Sequence, residues 1–438
     1  MRQSAGRWVA AARADLNSTG LRGQLARGAA GTLALKLLAL PLSLAMSIIL
    51  ARALGAHGFG LYAYVVAWAS AIAIPAGMGL NEYLLREASR LEPQLTIGPL
   101  LRWSGRRLWA SGLVAAAVLI SAGLLTAGLP DVSLLFLLAA PLPTVANLGG
   151  TRIAALRALG YPVAAQWPSL AFAPALMLAL VAAAWLWRGA LGAHIALLAL
   201  LAASAAGLLI NTIQLRFRLP REGAGILPSP SLRAALPFML LGALHLINSR
   251  ADLLMLGSLS GPAEAGVYAV VARTAELITL PLMAVNTVIA PQVASLYRRG
   301  DVDRLQRLLS ASARRMLIFA LPLAGILILA GGPLLGLVFG AEFTRGAFAL
   351  SVLAAAQLIN VGAGSVGMIL NMTGYERQSA WGVAVAAALN VVLNFLLIPQ
   401  FGIEGAAVAT GISVMLWNLL LLYWVRRRLG LRASALGV

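Results

Sequence analysis

Cysteine is absent from the sequence, which removes a thiol nucleophile, a thiolate metal site and disulfides from consideration. Histidine occurs only at His57, His194 and His245, on separate elements, so neither a His-x-x-x-His metal site nor a Ser/His/Asp arrangement can be assembled from neighbours. No metal and no cofactor is expected. A Walker-type Gly-Lys-Ser/Thr loop is missing too, and no stretch is left for a nucleotide-binding domain, which excludes ATP as the direct fuel. Long alternating strands are lacking, against a β-barrel. Charge is the scarcest commodity: 11% of the 438 residues are charged and 61% are apolar. A soluble chain could not cover that much apolar surface, so this is an integral membrane protein.

What the chain has instead is apolar runs of twenty residues or more, each long enough to cross the ~30 Å hydrocarbon core as a helix. The first is too long for a signal-peptide core and reads as a retained helix. Twelve spans are expected, at residues 29–52, 59–80, 108–128, 132–151, 163–186, 191–215, 234–258, 265–290, 316–339, 347–371, 379–399 and 403–425. Pro/Gly turns such as GLPD at 128–131, SGP at 260–262 and PQFG at 399–402 mark tight connections on one side.

The formal charge of +19 comes from 32 Arg and one Lys set against 14 acids. In a soluble chain it would suggest nucleic acid; here the arginines sit between apolar runs and report topology, and no nucleic-acid partner is expected. Of the 33 basic residues, 27 fall on the side of the N-terminus, three (Arg52, Arg188, Arg345) on the other, and three (Lys36, Arg250, Arg273) within spans. Both termini are therefore expected in the cytoplasm. Two basic segments, 84–108 and 304–315, mix Leu with Arg at helical spacing and suit either plain anchoring or an anionic membrane surface.

ARALGAHGFGLYAYVVA (51–67) returns as GSLSGPAEAGVYAVVAR (257–273). A shift of 206 residues lays Gly55, Gly60, Tyr62, Ala63 and Val65 on Gly261, Gly266, Tyr268, Ala269 and Val271. An even number of spans separates the copies, which makes the repeat parallel. The expected fold is an all-α polytopic membrane protein of about twelve helices, two parallel-repeat six-helix bundles around a central cavity. Its divisions are a basic N-terminal segment (1–28), a first bundle (29–216), a linker (217–233), a second bundle (234–425) and a tail (426–438). Such duplicated bundles favour a transporter that rocks between two openings.

The first-hairpin stretch 51–67 resembles a signature of the polysaccharide-export flippases in the multidrug/oligosaccharidyl-lipid/polysaccharide exporter superfamily. Further similarity lies in SRADLLMLGSLSGPAEAGVYAVVAR (249–273), APQVASLYRRGDVDRLQRLL (290–309), FGAEFTRGAFALSVLAAAQLINV (339–361), MTGYERQSA (372–380) and LNVVLNFLLIPQFGIEGAAVATGIS (389–413). The resemblance implies translocation of a polyprenyl-pyrophosphate-linked oligosaccharide across a bacterial inner membrane for surface polysaccharide synthesis, with membrane lipids and a polymerase complex as partners. An ion-coupled multidrug or cation antiporter of the same superfamily is the alternative, and a membrane glycosyl-transfer enzyme is a more distant one. The chain itself is expected not to be an enzyme.

An ionised side chain at mid-bilayer costs ~2.5–3.5 kcal/mol on insertion scales, so such residues face a cavity or a partner. Arg250 lies 11 residues before Gly261 and Arg273 lies 12 after it, which on antiparallel neighbours puts both at similar depth. Lys36, Arg250 and Arg273, with Arg52 at the outer end of the first span, are the expected pyrophosphate-binding cations, arginine's planar fork being suited to phosphate oxygens. The competing reading pairs Arg273 with Glu276 or Asp252. Asp252, Glu276 and His245 are also candidates for binding a coupling ion, H+ or Na+. Intramembrane Asn360, Asn371, Asn390 and Asn394 suit either helix packing or a sugar path.

Overall fold

The computed structural model describes residues 21–90, 93–188, 191–219 and 231–437; the N-terminal residues 1–20 and most of the 217–233 linker lie outside them. No strand occurs among the described residues. The helices are α1 (Leu21–Gly77), α2 (Leu80–Arg90), α3 (Pro93–Leu125), α4 (Pro130–Ala139), α5 (Leu142–Ala158), α6 (Pro162–Trp167), α7 (Ala173–Arg188) and α8 (Ala193–Arg218). They continue as α9 (Leu236–Leu259), α10 (Pro262–Glu276), α11 (Leu280–Arg298), α12 (Val302–Phe339), α13 (Ala347–Ala363), α14 (Val366–Met372) and α15 (Glu376–Leu429).

Ten helical stretches are long and apolar enough to cross a membrane. Two of them are too long to cross once: α1 has 57 residues and α15 has 54, about 80 Å each at ~1.5 Å per residue. Each breaks at one glycine, Gly55 (φ 66°, ψ 178°) and Gly402 (φ 54°, ψ −128°). Ten such stretches among the described residues, two of them folded at a glycine, agree with a chain of about twelve crossings. Positive φ is cheap only for a residue without Cβ, which is why these turns fall on glycine. Gly261, the counterpart of Gly55 in the repeat, also sits at positive φ (94°).

The chain clusters into two compact units, residues 1–46 with 69–242, and residues 47–68 with 243–438. The tip of the first hairpin thus belongs to the second unit. In the first unit, Leu80, Tyr83 and Leu84 of α2 bury against Ile97, Leu100 and Leu108 of α3, Leu148 and Leu156 of α5 and Leu215 of α8. The 84–108 segment accordingly sends Leu84, Leu100 and Leu108 into an internal core, with Trp103 packed 6.0 Å from the Tyr83 ring.

In the second unit, Leu305 and Leu309 of α12 pack with Ile289 and Val293 of α11, Val366, Ile369 and Leu370 of α14, and Leu421 and Val425 of α15. Segment 304–315 is likewise the start of a long helix: its leucines face this core while Arg304, Arg307, Arg314 and Arg315 are exposed. Asp301 caps it, accepting from the Arg304 N–H at 3.1 Å. The tail after α15 lies across the same end as a strap. Gln306 donates to the Arg432 carbonyl and accepts from the Arg432 N–H at 2.6 and 2.7 Å, and the Ala435 N–H donates to the Gly362 carbonyl at 2.9 Å.

The repeated turn finds its explanation in the second unit, where the two copies touch. A Cβ built on Gly60 would stand 1.8 Å from the Pro262 carbonyl oxygen, and one on Gly266 would stand 2.1 Å from that of Ala56. These two glycines are equivalent under the 206-residue shift. The helix after each turn therefore crosses the other backbone against backbone, a separation that no side chain permits. Gly60→Ala and Gly266→Ala are each expected to cost about 1–3 kcal/mol, seen as a lowered Tm in detergent. Gly325→Ala, at a glycine whose Cβ would meet open space, is expected to leave Tm unchanged or higher.

Candidate functional site

Asp252 lies on α9, inside a membrane-spanning stretch, and is 8% exposed. It forms no ion pair among the described residues. Its Oδ2 instead accepts from the Tyr268 hydroxyl of α10 and from the Thr410 hydroxyl of α15, the latter at 3.1 Å, while Oδ1 accepts from the Leu253 N–H at 3.2 Å. The chain of contacts continues along α15. Asn390 Nδ2 donates to Thr410 Oγ1 at 3.2 Å, and Asn394 Nδ2 donates to Asn390 Oδ1 at 2.9 Å. Asn394 is fully buried, and its Oδ1 has no hydrogen-bond partner.

Each member is placed by a local cause. The Gly60–Gly266 crossing fixes α10, and Tyr268 follows Gly266 by half a turn. Asn390 and Asn394 are four residues apart and share a face of the limb before Gly402; Thr410 sits on the limb after it, so the hairpin at Gly402 brings the three together. Together they gather one carboxylate, two hydroxyls and two amides in a region otherwise lined by aliphatic side chains. Such a network is strong when complete, and the orphaned Asn394 oxygen leaves one acceptor spare.

A second group lies on the accessible part of the same unit. Arg250 is exposed, Arg273 half-buried and Glu276 exposed by area. Glu276 lies within electrostatic reach of both guanidiniums and of Asp252, and the field of Arg250 also reaches Tyr62. Neither arginine forms an ion pair: the pairs among the described residues are Arg86–Glu87, Arg90–Glu87 and Arg345–Glu264. The structure thus brings Arg250, Arg273 and Glu276 to one neighbourhood without locking them together.

The other expected residues are dispersed. Arg52 donates to the backbone carbonyls of Val338, at 2.8 Å, and Leu337. Those carbonyls end α12, so this guanidinium serves as a C-terminal cap. Beside it, Glu342 accepts from the Ala56 N–H at 2.8 Å, and Arg345 pairs with Glu264 at 2.7 Å. Lys36 belongs to the first unit, where it is exposed with no ion pair among the described residues. His245 is exposed on α9 and only its carbonyl is engaged, by Ser249 Oγ at 2.9 Å. Of the asparagines, Asn360 accepts from Asn418 at 3.2 Å in a helix-packing contact, and Asn371 is exposed.

Under the 206-residue shift, Arg250, Asp252, Arg273 and Glu276 correspond to Leu44, Met46, Ala67 and Ser70. The copies share a scaffold and not a chemistry. Tyr268→Phe and Thr410→Val each strip one donor from a buried carboxylate and are expected to destabilise the protein by about 1–3 kcal/mol. Because both donate to the same oxygen, the double variant is expected to depart from additivity; Tm values of the three variants check this.

Matches to known proteins fit this geometry. Residues 25–297 match the family model described as a polysaccharide biosynthesis protein, and residues 165–436 match that of the lipid II flippase MurJ. Among curated proteins, the probable low-salt glycan biosynthesis flippase Agl15 of Haloferax volcanii is 27% identical over 162 residues, 37% of this chain and 34% of that protein. The chain spans about a third of the length of the curated relatives it matches. An inward-facing multidrug resistance MATE family transporter of the MOP superfamily is structurally similar, with TM-score 0.71 at 15% identity over 92% of this chain and 98% of that one. MurJ in an inward closed conformation follows at TM-score 0.68 and 14% identity, over 90% and 87%. Drug exporters and lipid flippases share this fold, so likeness of shape alone does not divide them. The sequence model does: with its match running over residues 25–297, the chain belongs to the polysaccharide biosynthesis protein family.

Proposed function

We propose that the protein is a flippase that moves a polyprenyl-pyrophosphate-linked oligosaccharide between the leaflets of the cytoplasmic membrane, its basic side and both termini facing the cytoplasm. The observation that carries this reading is the pair Arg250 and Arg273, two guanidiniums in membrane-spanning helices with no carboxylate locked to either. Retaining them there costs ~2.5–3.5 kcal/mol apiece on insertion scales, a cost that a bound dianionic group offsets. The planar fork of arginine can grip two phosphate oxygens at once. Glu276 stands within electrostatic reach of both guanidiniums and forms no ion pair with either, which leaves the two forks available to pyrophosphate.

The same arrangement speaks against an organic-cation antiporter. Asp252, the one buried acid among the described residues, is enclosed by Tyr268 and Thr410, while two of the three accessible charges beside it are positive and repel a cationic drug. Arg52 is committed to helix-end carbonyls, so the pyrophosphate reading rests on Arg250 and Arg273, with Lys36 of the first unit as a third cation to be tested by itself. In liposomes loaded with a fluorescent polyprenyl-pyrophosphate oligosaccharide, Arg250→Ala and Arg273→Ala are each expected to slow translocation about tenfold or more. Unimpaired rates in both, and in Lys36→Ala, would overturn the pyrophosphate role.

The buried network supports a coupling function. Asp252 with Thr410, Asn390 and the spare Asn394 oxygen offers hard oxygen donors suited to a proton or Na+, with no ion pair to either arginine. An imposed H+ or Na+ gradient is expected to accelerate translocation by the native protein. Asp252→Asn keeps the shape and one accepting oxygen while removing the charge and the site of protonation; it is expected to retain a basal rate and lose that acceleration. A gradient response that survives the substitution would remove Asp252 from the coupling.

A further inference from the structure

At the basic end of the first unit, a groove of about 870 Å³ opens between the start of α1, the α5–α6 turn and the last turns of α8. Its lining combines the apolar Ile210, Ile213 and Val163, the rings of Tyr161 and Trp167, and Gln214 and Arg218 at the end of α8. Along α8 the lining runs from Ile210 through Gln214 to Arg218, from apolar to cationic, as a membrane does from acyl chain to headgroup. Small residues keep it open: a Cβ on Gly28 would stand 3.0 Å from Pro162 Cγ and begin to close the mouth.

Arg218 is poised and uncommitted. Its guanidinium lies 4.7 Å from the centre of the Tyr161 ring, and one N–H donates to Gln214 Oε1 at 3.0 Å. It has no carboxylate partner among the described residues. The same guanidinium reaches the Gln214 carbonyl at 3.4 Å, and its remaining N–H groups have no protein acceptor among the described residues. Arg218 is the one cation among the described residues that line the groove, and a fixed cation above an apolar slot suits a monoanionic phosphodiester carrying acyl chains. A pyrophosphate, with at least two negative charges, calls for more than one cation.

We infer that this groove is a binding site for a resident anionic glycerophospholipid, held by Arg218 at the phosphate and by Ile210, Ile213 and Val163 along the upper acyl chains. The inference is independent of what the protein transports. The site lies wholly within the first unit, and lipid retention is read without any translocation assay.

The test is native mass spectrometry of the detergent-solubilised full chain, delipidated and then titrated with phosphatidylglycerol or phosphatidylcholine. The native protein is expected to retain phosphatidylglycerol with at least about tenfold preference, and to gain thermal stability from it. Arg218→Gln is expected to lose the preference, and Ile213→Trp, at an exposed lining position that can fill the slot without entering the core, to lose retention of both lipids. Arg216→Gln, in the same turn but outside the lining, is expected to behave as the native protein. Equal retention of the two lipids by the native protein, or an undiminished preference in Arg218→Gln, would overturn the inference. So would displacement of phosphatidylglycerol by an equimolar polyprenyl pyrophosphate, which would assign the groove to the transported class of lipid instead.

Discussion

Hydrocarbon offers no hydrogen-bond partner, and that one constraint organises the molecule. A polar group inside a membrane must be satisfied by the protein itself. The backbone meets the demand by being helical almost throughout. Where a helix ends, a side chain takes over: Arg52 reaches the carbonyls that terminate α12, and Glu342 accepts the amide freed at the Gly55 turn. Asn418 and Asn360 satisfy one another across α13 and α15. The same demand shapes Asp252, whose carboxylate is dressed with hydroxyl donors in place of water.

Against this background the groups left unsatisfied carry the meaning. Arg250 and Arg273 are not dressed in this way, and Asn394 keeps a buried oxygen without a donor. The two arginines lie in the second copy of the repeat; the first places Leu44, Met46, Ala67 and Ser70 at the positions of Arg250, Asp252, Arg273 and Glu276. Duplication supplied two equivalent frames, and chemistry concentrated in one of them. Within that unit the acid and the cations are kept in different settings, one enclosed and one accessible.

Much of this architecture was legible in the sequence, because bilayer thickness and positive-inside bias act on composition directly. The twelve spans, the paired glycine turns and the shared neighbourhood of Arg250 and Arg273 all follow from spacing along one or two helices. What was illegible depends on contacts between helices distant in sequence. Asn390 and Asn394 suited either packing or a sugar path, and their place in the network was hidden because Thr410 and Asp252 lie 20 and more than 130 residues from Asn390. In the sequence Tyr268 is only a match of the repeat, yet it is buried and bonded to the carboxylate. Arg52 looked like a ligand-binding cation because nothing local reveals that α12 ends beside it, 285 residues on. The Leu/Arg segments at 84–108 and 304–315 carry a strong amphipathic pattern that is the same whether the leucines meet lipid or a core; the core was the answer in both.

The meeting of Gly60 with Gly266 has a bearing on how such a chain arises. Each is the other's counterpart, so the contact joins like to like, as an isologous interface joins two identical subunits across a two-fold axis. An unfused six-span chain inserted in one orientation would meet its own copy through the same bare patch of backbone. Fusion then asks for no new surface: a seam between subunits is retained as an internal one.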